Sequence, residues 1–527
     1  MAIDTLRQAE PTLAPLLRGW QDAAARVTSQ IYAATRLHGL VLAFATYVVG
    51  VISIASQHEP WFDEAQAWLL ARDASLWHML TEQMRYEGSP ALWHLILMGP
   101  AKLGLPYSSL TVIAVMVALA GAFVLVRYSP FPWPLTVGVL FSFVVAYQYA
   151  VVARSYVLLP LLLFLLAIAW RRRLASPWPF IIVLCLLANV SLHGLLIAAS
   201  VFAVHLFELR WPPQNVCEAF PTREVRLAQL RAGAVFAVVC GLLVVQLWPA
   251  PDQSFAAGLN PSLLSSLGIG SRFVNSALTG NPFASLVALG MSTWWFRRTR
   301  TLALWALPTL ALLALSAMKY FNFWHDGIPF LVWLFALWVS VERGPVTQDR
   351  SNHWLRLGIF TVMAGVLLVQ GVWWLQSAEF DFAHPYSGSK ALAVWLQQQN
   401  LDGLEIDAVG YHALGVLPYF GKNVYDNNNG GQRPAYMHWS TRSCLHDNVW
   451  SVWLDRPDMI VWAVKAWSPL EQPALAGYER LAVFEGRMYW KNRVIERDAF
   501  YVLRRKGLTR FPSVHADPAA HKAATGQ

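Results

Sequence analysis

Long apolar runs constrain this chain more than any other feature of its sequence. Hydrophobic residues make up 56% of its 527 residues and charged residues only 13%, whereas soluble domains average about 25% charged residues. Repeated apolar runs of roughly 15 to 20 residues, separated by short basic loops, are typical of a polytopic α-helical membrane protein. The runs predict eleven transmembrane helices, at about 38–56, 109–126, 134–151, 155–170, 178–191, 193–209, 232–249, 282–296, 302–318, 328–342 and 355–375.

The basic residues predict the orientation of these helices. The formal net charge is +9, but Lys and Arg mostly flank apolar runs, where they bind anionic headgroups, so nucleic acid is not needed to explain the charge. One set of alternate loops holds fourteen basic residues and the other holds six. The positive-inside rule therefore places the N-terminus in the cytoplasm and the loop after the first span outside. This order requires that the short segment 91–105 lies at the outer interface instead of spanning the membrane.

The composition also predicts four parts of the chain. Residues 1–37 form a cytoplasmic leader, which is either an amphipathic surface helix or weakly ordered. The transmembrane module follows at 38–376, then an outside α/β domain at 377–515 and a disordered tail at 516–527. Within the α/β domain we expect a helix at 389–399, strands at 404–409 and 459–464, and a turn at 427–431. The four cysteines indicate neither a disulfide framework nor a metal motif.

A short polar island follows the first apolar run. It reads WFDEAQAW at 61–68, with Asp63 and Glu64 adjacent, and a second polar segment, YEGSP, follows at 86–90. Adjacent carboxylates at a membrane surface are costly to place, so they indicate catalysis at the edge of the bilayer. A structural alternative is that both acids favour the N-terminus of a helix that starts here. The two roles do not exclude each other for Asp63, and Glu64 could instead orient Asp63 or a backbone group.

Other polar residues fall at the predicted outer ends of spans. Ionisable groups at membrane depth are expensive to bury and so are functional candidates. Structural alternatives stay open for them: an interface histidine for His94 and His193, a headgroup contact for Arg154, and a turn for Glu87. These outer residues, beside the polar island, are Glu87, His94, Arg154, Tyr156, His193, Lys319, His325 and Asp326.

The polar island, the YEGSP segment, Arg154-Ser155-Tyr156, His193 and the late Lys/His/Asp loop resemble, in this order, the GT-C superfamily of membrane glycosyltransferases. The resemblance covers roughly residues 38–375. It is nearest to the branch that includes protein O-mannosyltransferases and the lipid A aminoarabinose transferase. It implies a GT-C-like helical module with interfacial helices in the first outer loop. It also implies transfer of a sugar, with inversion, from a polyprenyl-phosphate donor to an acceptor on the outer face.

The resemblance also implies residue roles. Asp63 would be the catalytic base, with Glu64 as the second catalytic carboxylate. Arg154, Lys319 and His325 would bind the donor phosphate. Contacts to sugar or acceptor are expected from Glu87, His94, Tyr156, His193 and Asp326.

The sequence leaves several partners and classes open. We expect no essential metal, although a divalent metal is possible. The expected acceptor is a cell-envelope glycolipid or polysaccharide, and the expected location is a bacterial inner membrane. A transporter or flippase for lipid-linked sugars is the alternative function, and a non-catalytic assembly subunit is the third.

Overall fold

A computed structural model describes most of the chain. The described residues are 35–211, 223–254, 263–318, 322–345, 350–399, 401, 403–441, 445, 455–465 and 475–508. The predicted leader up to residue 34, the predicted tail and Lys319 lie outside them. Chain order gives α1 (Thr35–Gln57), α2 (Phe62–Asp73), α3 (Leu76–His78), α4 (Met84–Glu87), α5 (Leu92–Lys102), α6 (Ser109–Tyr128), α7 (Trp133–Leu140), α8 (Leu158–Trp170), α9 (Pro177–Ala188), α10 (Leu192–Arg210), α11 (Arg223–Gln246), α12 (Leu263–Leu278), α13 (Pro282–Arg298), α14 (Leu302–Met318), α15 (Gly327–Arg343), α16 (Arg350–Ala383) and α17 (Ser389–Gln398).

The described chain is mostly helical, as the apolar runs predict. Among the described residues, six segments are long and apolar enough to cross a membrane: α1, α6, α10, α11, α16, and α15 with the 3₁₀ turn before it. Three shorter apolar helices, α8, α9 and α14, accompany them. Each of the eleven predicted segments contains a helix, although 134–151 is divided into α7 and a π-helical turn, Val144–Gln148. The membrane class is thus supported, and the count of eleven spans stays a prediction.

The sequence pattern missed α12. This helix carries Ser271, Arg272 and Asn275 among its apolar residues, which lowers its hydropathy. It nevertheless packs against α14 and α15, with Phe273 and Ala277 buried. Packing of its apolar face therefore stabilises α12, although its overall hydrophobicity is low.

The helices between α1 and α6 are short. α2 packs along α5, and α5 contains 11 residues, or about 16 Å at 1.5 Å per residue. This length is about half the hydrocarbon thickness of a bilayer, so α5 is too short to span one, and its position at the interface stays a prediction.

The C-terminal region, residues 384–508, contains a small mixed sheet. Its strands are β1 (Ile406–Val409), β2 (Met459–Lys465), β3 (Tyr478–Trp490) and β4 (Arg493–Arg505), in the order β1-β2-β4-β3. β1 and β2 are parallel, and the other pairs are antiparallel. The first two strands and α17 lie where the sequence pattern places them, whereas the β3–β4 hairpin was not predicted.

The hairpin lies close to the end of the membrane helices. A Cβ atom on Gly486 of β3 would lie 2.6 Å from Ser387 Cα, so only glycine allows this approach. Ser387 belongs to the connection between α16 and α17. The C-terminal region is therefore packed against the end of α16, next to the helices of the first loop.

Candidate functional site

Asp63 lies in the first turn of α2 and pairs with Arg154. Its Oδ2 is 2.9 Å from Arg154 Nη2, and the two side chains are 22% and 21% exposed. An acid in the first turn is stabilised by the helix dipole, and the partial exposure leaves both groups within reach of a ligand. The first acid of the polar island and the arginine that precedes the predicted span 155–170 thus form one ion pair.

The surroundings of Asp63 act on its pKa in opposite directions. Burial raises the pKa of Asp63 above its ordinary value, while the charges of Arg154 and His412 lower it. A carboxyl group with a raised pKa is a stronger base once it is deprotonated. The environment therefore suits proton transfer better than that of a fully solvated aspartate.

Glu64 is buried and holds two backbone amides. The N–H of Trp61 donates to its Oε2 at 2.8 Å, and the N–H of Ala153 donates to its Oε1 at 2.7 Å. The first bond caps the start of α2, since Glu64 at the third helical position accepts from the N-cap amide, and the second fixes the residue that precedes Arg154. Glu64 thus has the contacts of the capping alternative and aligns the Asp63–Arg154 pair, while a direct catalytic role for it stays a prediction.

A buried network behind Glu64 was missed by sequence reasoning. His58 Nδ1 lies 3.0 Å from Asp381 Oδ2, which also accepts a bond from the Tyr147 hydroxyl at 2.9 Å. Burial alone would lower the pKa of His58, but the hydrogen bond to Asp381 and the Glu64 carboxylate, 3.7 Å from Nε2, raise it to about 10. The network joins the connection after α1 to the end of α16. No local sequence signal links these distant positions.

Four predicted residues from three separate helices meet next to Asp63. The Arg154 guanidinium lies 5.0 Å from the centroid of the Trp324 ring and 5.5 Å from that of Tyr156. The Tyr156 hydroxyl is 3.1 Å from His325 Nε2, and the rings of His325 and His193 are 4.3 Å apart. The beginnings of α8, α10 and α15 therefore supply one continuous polar and aromatic wall.

Glu87 approaches the site from α4. Gln66 of α2 donates from its Nε2 to Glu87 Oε1 at 2.8 Å and to the carbonyl of Met437 at 2.7 Å. The pKa of Glu87 is raised to about 8, mainly by burial and also by the charge of Asp63, whereas the hydrogen bond from Gln66 opposes the shift. Gln66 was not singled out from the sequence, although it lies inside the polar island.

Asp326 has a partner in the C-terminal region. Its Oδ2 is 3.0 Å from Nζ of Lys491, in the turn between β3 and β4, and also accepts a bond from the Ser276 hydroxyl. Lys491 donates to the Ser276 hydroxyl at 3.1 Å and lies 4.6 Å from the centroid of the Trp373 ring. This buried contact joins the hairpin to α12 and α16, and the substrate contact expected of Asp326 stays a prediction.

The structure describes one of the two remaining predicted residues. His94 is buried in α5, where burial lowers its pKa to about 4. Within the described residues, its Nδ1 has no hydrogen-bond partner. Lys319 lies outside the described residues, so its phosphate contact stays a prediction.

One group near Asp63 has the side chains of a metal site. Ligand atoms of His412, Glu496 and Asp498 all lie within 4.8 Å of one another. All three belong to the C-terminal region and were missed because β4 and the 3₁₀ helix that carries His412, Tyr411–Tyr419, were not predicted.

Comparison with known proteins adds no relative. No protein-family model matches the chain, and no curated protein and no solved structure matches it significantly. The functional proposal therefore depends on the geometry of the site.

Proposed function

We propose that this protein is an integral membrane glycosyltransferase of the GT-C type. It moves a sugar from a polyprenyl-phosphate donor to a cell-envelope glycolipid or polysaccharide. The observation that carries the proposal is the partly exposed Asp63–Arg154 pair, which lies among buried polar groups where the apolar helices meet the C-terminal region. A base and a cation side by side are what this reaction requires.

In the proposed reaction, Asp63 accepts the proton of the acceptor hydroxyl. The hydroxyl oxygen attacks the anomeric carbon of the sugar from the face opposite the phosphate, so that its configuration inverts. The bond between the anomeric carbon and the phosphate oxygen breaks, and its electron pair stays on the leaving polyprenyl phosphate. Arg154 stabilises the negative charge that grows on this phosphate.

Binding of the donor phosphate would change the contacts within the Asp63–Arg154 pair. A phosphate that approaches Arg154 competes with Asp63 for the guanidinium N–H groups, which bind phosphate in a bidentate manner. Asp63 is then released to contact the acceptor. His325 and the Tyr156 hydroxyl, 3.1 Å apart, offer further polar contacts to the donor, and Glu87 and Gln66 offer contacts to hydroxyl groups of the sugar.

The proposal includes an orientation. The loop that carries Asp63 and the C-terminal region lie outside, and the N-terminus lies in the cytoplasm of a bacterial inner membrane. The count of basic residues supports this orientation. The apolar surfaces of the surrounding helices would bind the prenyl chain.

The test is release of polyprenyl phosphate by the purified protein from a panel of polyprenyl-phosphate sugars. Asp63→Asn should reduce turnover by a factor of about 10² to 10⁴, the usual share of a general base. Glu82→Gln is the matched control, because Glu82 lies in the same loop with a side chain that is 54% exposed. Each variant is checked for folding by its thermal unfolding curve.

Two results would contradict the proposal. Equal turnover of wild type and Asp63→Asn would remove Asp63 from the chemistry. No turnover with any donor, together with movement of lipid-linked sugar across vesicles, would favour a flippase.

A further inference from the structure

Strand β4 and the 3₁₀ helix after β1 bring two carboxylates and a histidine to the start of α2. Glu496 and Asp498 are two residues apart on β4, so their side chains lie on the same face of the sheet. His412 follows Gly410, whose φ of 88° lets the chain turn from β1 into the 3₁₀ helix. Elements far apart in sequence thus bring three ligand-type side chains together.

We propose that His412, Glu496 and Asp498 form a binding site for a divalent transition-metal cation, with Zn²⁺ or Mn²⁺ as the class that suits it. One imidazole nitrogen and two carboxylates match the ligands that these cations take in proteins. Three protein ligands leave further positions on the cation for water or a substrate oxygen. This proposal goes beyond the glycosyltransferase function and does not require it.

The contact between His412 and Asp498 supports a shared cation. His412 Nδ1 is 2.9 Å from Asp498 Oδ1, yet this Oδ1 accepts no hydrogen bond within the described part of the chain. Two ligand atoms at about 2.1 Å from one cation lie about 3 Å apart at the right angles of octahedral coordination and about 3.4 Å apart at tetrahedral angles. The distance therefore fits two ligands of one ion.

Burial makes that oxygen expensive without a cation. Asp498 is only 5% exposed, and a buried acceptor that lacks a hydrogen-bond donor destabilises the fold. A bound cation would satisfy this oxygen. It would also neutralise part of the negative charge that Glu496 and Asp498 bring together.

Two residues of the polar island orient the ligands. The Trp61 indole N–H donates to Asp498 Oδ2 at 3.2 Å, and the Phe62 ring stacks on His412 with 4.6 Å between centroids and 25° between planes. Such outer contacts fix the direction in which metal ligands point. Because Trp61 and Phe62 directly precede Asp63, the cation would lie beside the candidate base and hold the C-terminal region to α2.

The alternative is a metal-free ion pair. His412 Nε2 lies 3.7 Å from Glu496 Oε1, so a protonated imidazole could bridge the two carboxylates without a cation. The two arrangements differ in one measurable property, which is the binding of metal by the protein alone.

The experiment measures Co²⁺ and Zn²⁺ binding to full-length protein in detergent, purified through a tag without histidine and stripped with EDTA. Wild type should bind one ion per chain after dialysis. Asp498→Asn and His412→Gln should each weaken binding at least tenfold. Glu479→Gln is the control, because Glu479 lies in the same sheet but pairs with Arg504. Because no substrate is involved, this result is independent of the glycosyltransferase assay.

Near-zero metal in the wild type, or equal binding by wild type and both cluster variants, would overturn the proposal in favour of the ion pair. A second measurement avoids dependence on variants that fail to fold. Pulsed electron paramagnetic resonance of Mn²⁺ bound to the wild type should show a directly coordinated histidine nitrogen. Its absence would also overturn the site.

Discussion

The two ends of the same three helices use charge in opposite ways. α8, α10 and α15 begin at the wall beside Asp63, where Tyr156, His193 and His325 meet. At their other end, Glu208 of α10 contacts Arg173, just after α8, and Arg343 of α15. The three helices therefore run in the same direction between two polar clusters.

The Glu208 cluster is closed. Arg343 donates to both oxygens of Glu208 at 3.1 Å, and Arg173 also donates to this carboxylate. The side chains of all three residues are at most 8% exposed, and Arg173 lies over the Trp170 ring at 3.7 Å. Both carboxylate oxygens are occupied, so this cluster joins helix ends and offers nothing to a ligand.

The Asp63–Arg154 pair is open by the same measures. Its side chains are about one fifth exposed, and Asp63 has one strong ion-pair partner instead of two. Charged residues near a membrane therefore do not by themselves identify a site. What identifies it is charge that is desolvated enough to react and still accessible.

After Asp63→Asn, the largest effect should come from Arg154→Gln. Loss of the charge that stabilises the leaving phosphate should reduce turnover by about 10² to 10³. Because Arg154 lowers the pKa of Asp63, its removal raises that pKa, and the limb of the pH–rate profile that rises with pH should move to higher pH. Arg85→Gln is the control, since Arg85 is exposed and bonds only the Trp248 carbonyl in the described structure. A profile that matches the control would contradict the assigned role.

An intermediate effect is expected from Lys491→Met. Lys491 and Asp326 form a buried ion pair at the start of α15, at the same end of the helices as the accessible Asp63–Arg154 pair. The change leaves Asp326 Oδ2 with the Ser276 hydroxyl alone, at a cost of about 2–3 kcal/mol in the free energy of unfolding. The C-terminal region should also become more sensitive to protease. Lys506→Met, at an exposed lysine that bonds the Ala476 carbonyl, should change neither property. Identical behaviour of the two variants would show that Lys491 does not hold the hairpin.

The smallest effect should be the pH-dependent gain in Glu87→Gln. The pKa of Glu87 is raised from 4.5 to about 8, so the native state holds this proton more tightly than the unfolded state. Stability therefore falls as pH rises between these values. Gln removes that loss, so the variant should match wild type at acid pH and be more stable above pH 8, by about 1–2 kcal/mol after screening by water. Parallel stability curves across this window would contradict the raised pKa.

Hydrophobic periodicity predicted much of the helical part, for a local physical reason. Each apolar run must form helix to satisfy its own backbone in lipid, so runs such as 109–126 and 302–318 contain α6 and α14. The polar island stood out because its acids interrupt this pattern. α12 was missed because its polar residues lower its hydropathy, although one of its faces packs against α14 and α15.

Long-range contacts were not predictable from one sequence. The role of Glu64 depends on the Ala153 amide, 89 residues away, and Gln66 depends on Met437. His412 and Asp498 lie in a region with ordinary strand-like patterns, and nothing local indicates that they meet Phe62 and Trp61. Sequence reasoning thus found several of the candidate groups, and only the fold showed which of them already have hydrogen-bond or ion-pair partners.

The most direct test compares one variant from each cluster in a paired experiment. Turnover per folded molecule and the free energy of unfolding are measured for Asp63→Asn and Glu208→Gln. We expect Asp63→Asn to lose turnover while its free energy of unfolding stays nearly unchanged. Glu208→Gln should lose about 3–5 kcal/mol of stability, because two buried guanidinium groups lose their counter-ion, and should keep its turnover. The opposite pattern, or loss of both properties in both variants, would contradict the division into an open and a closed cluster.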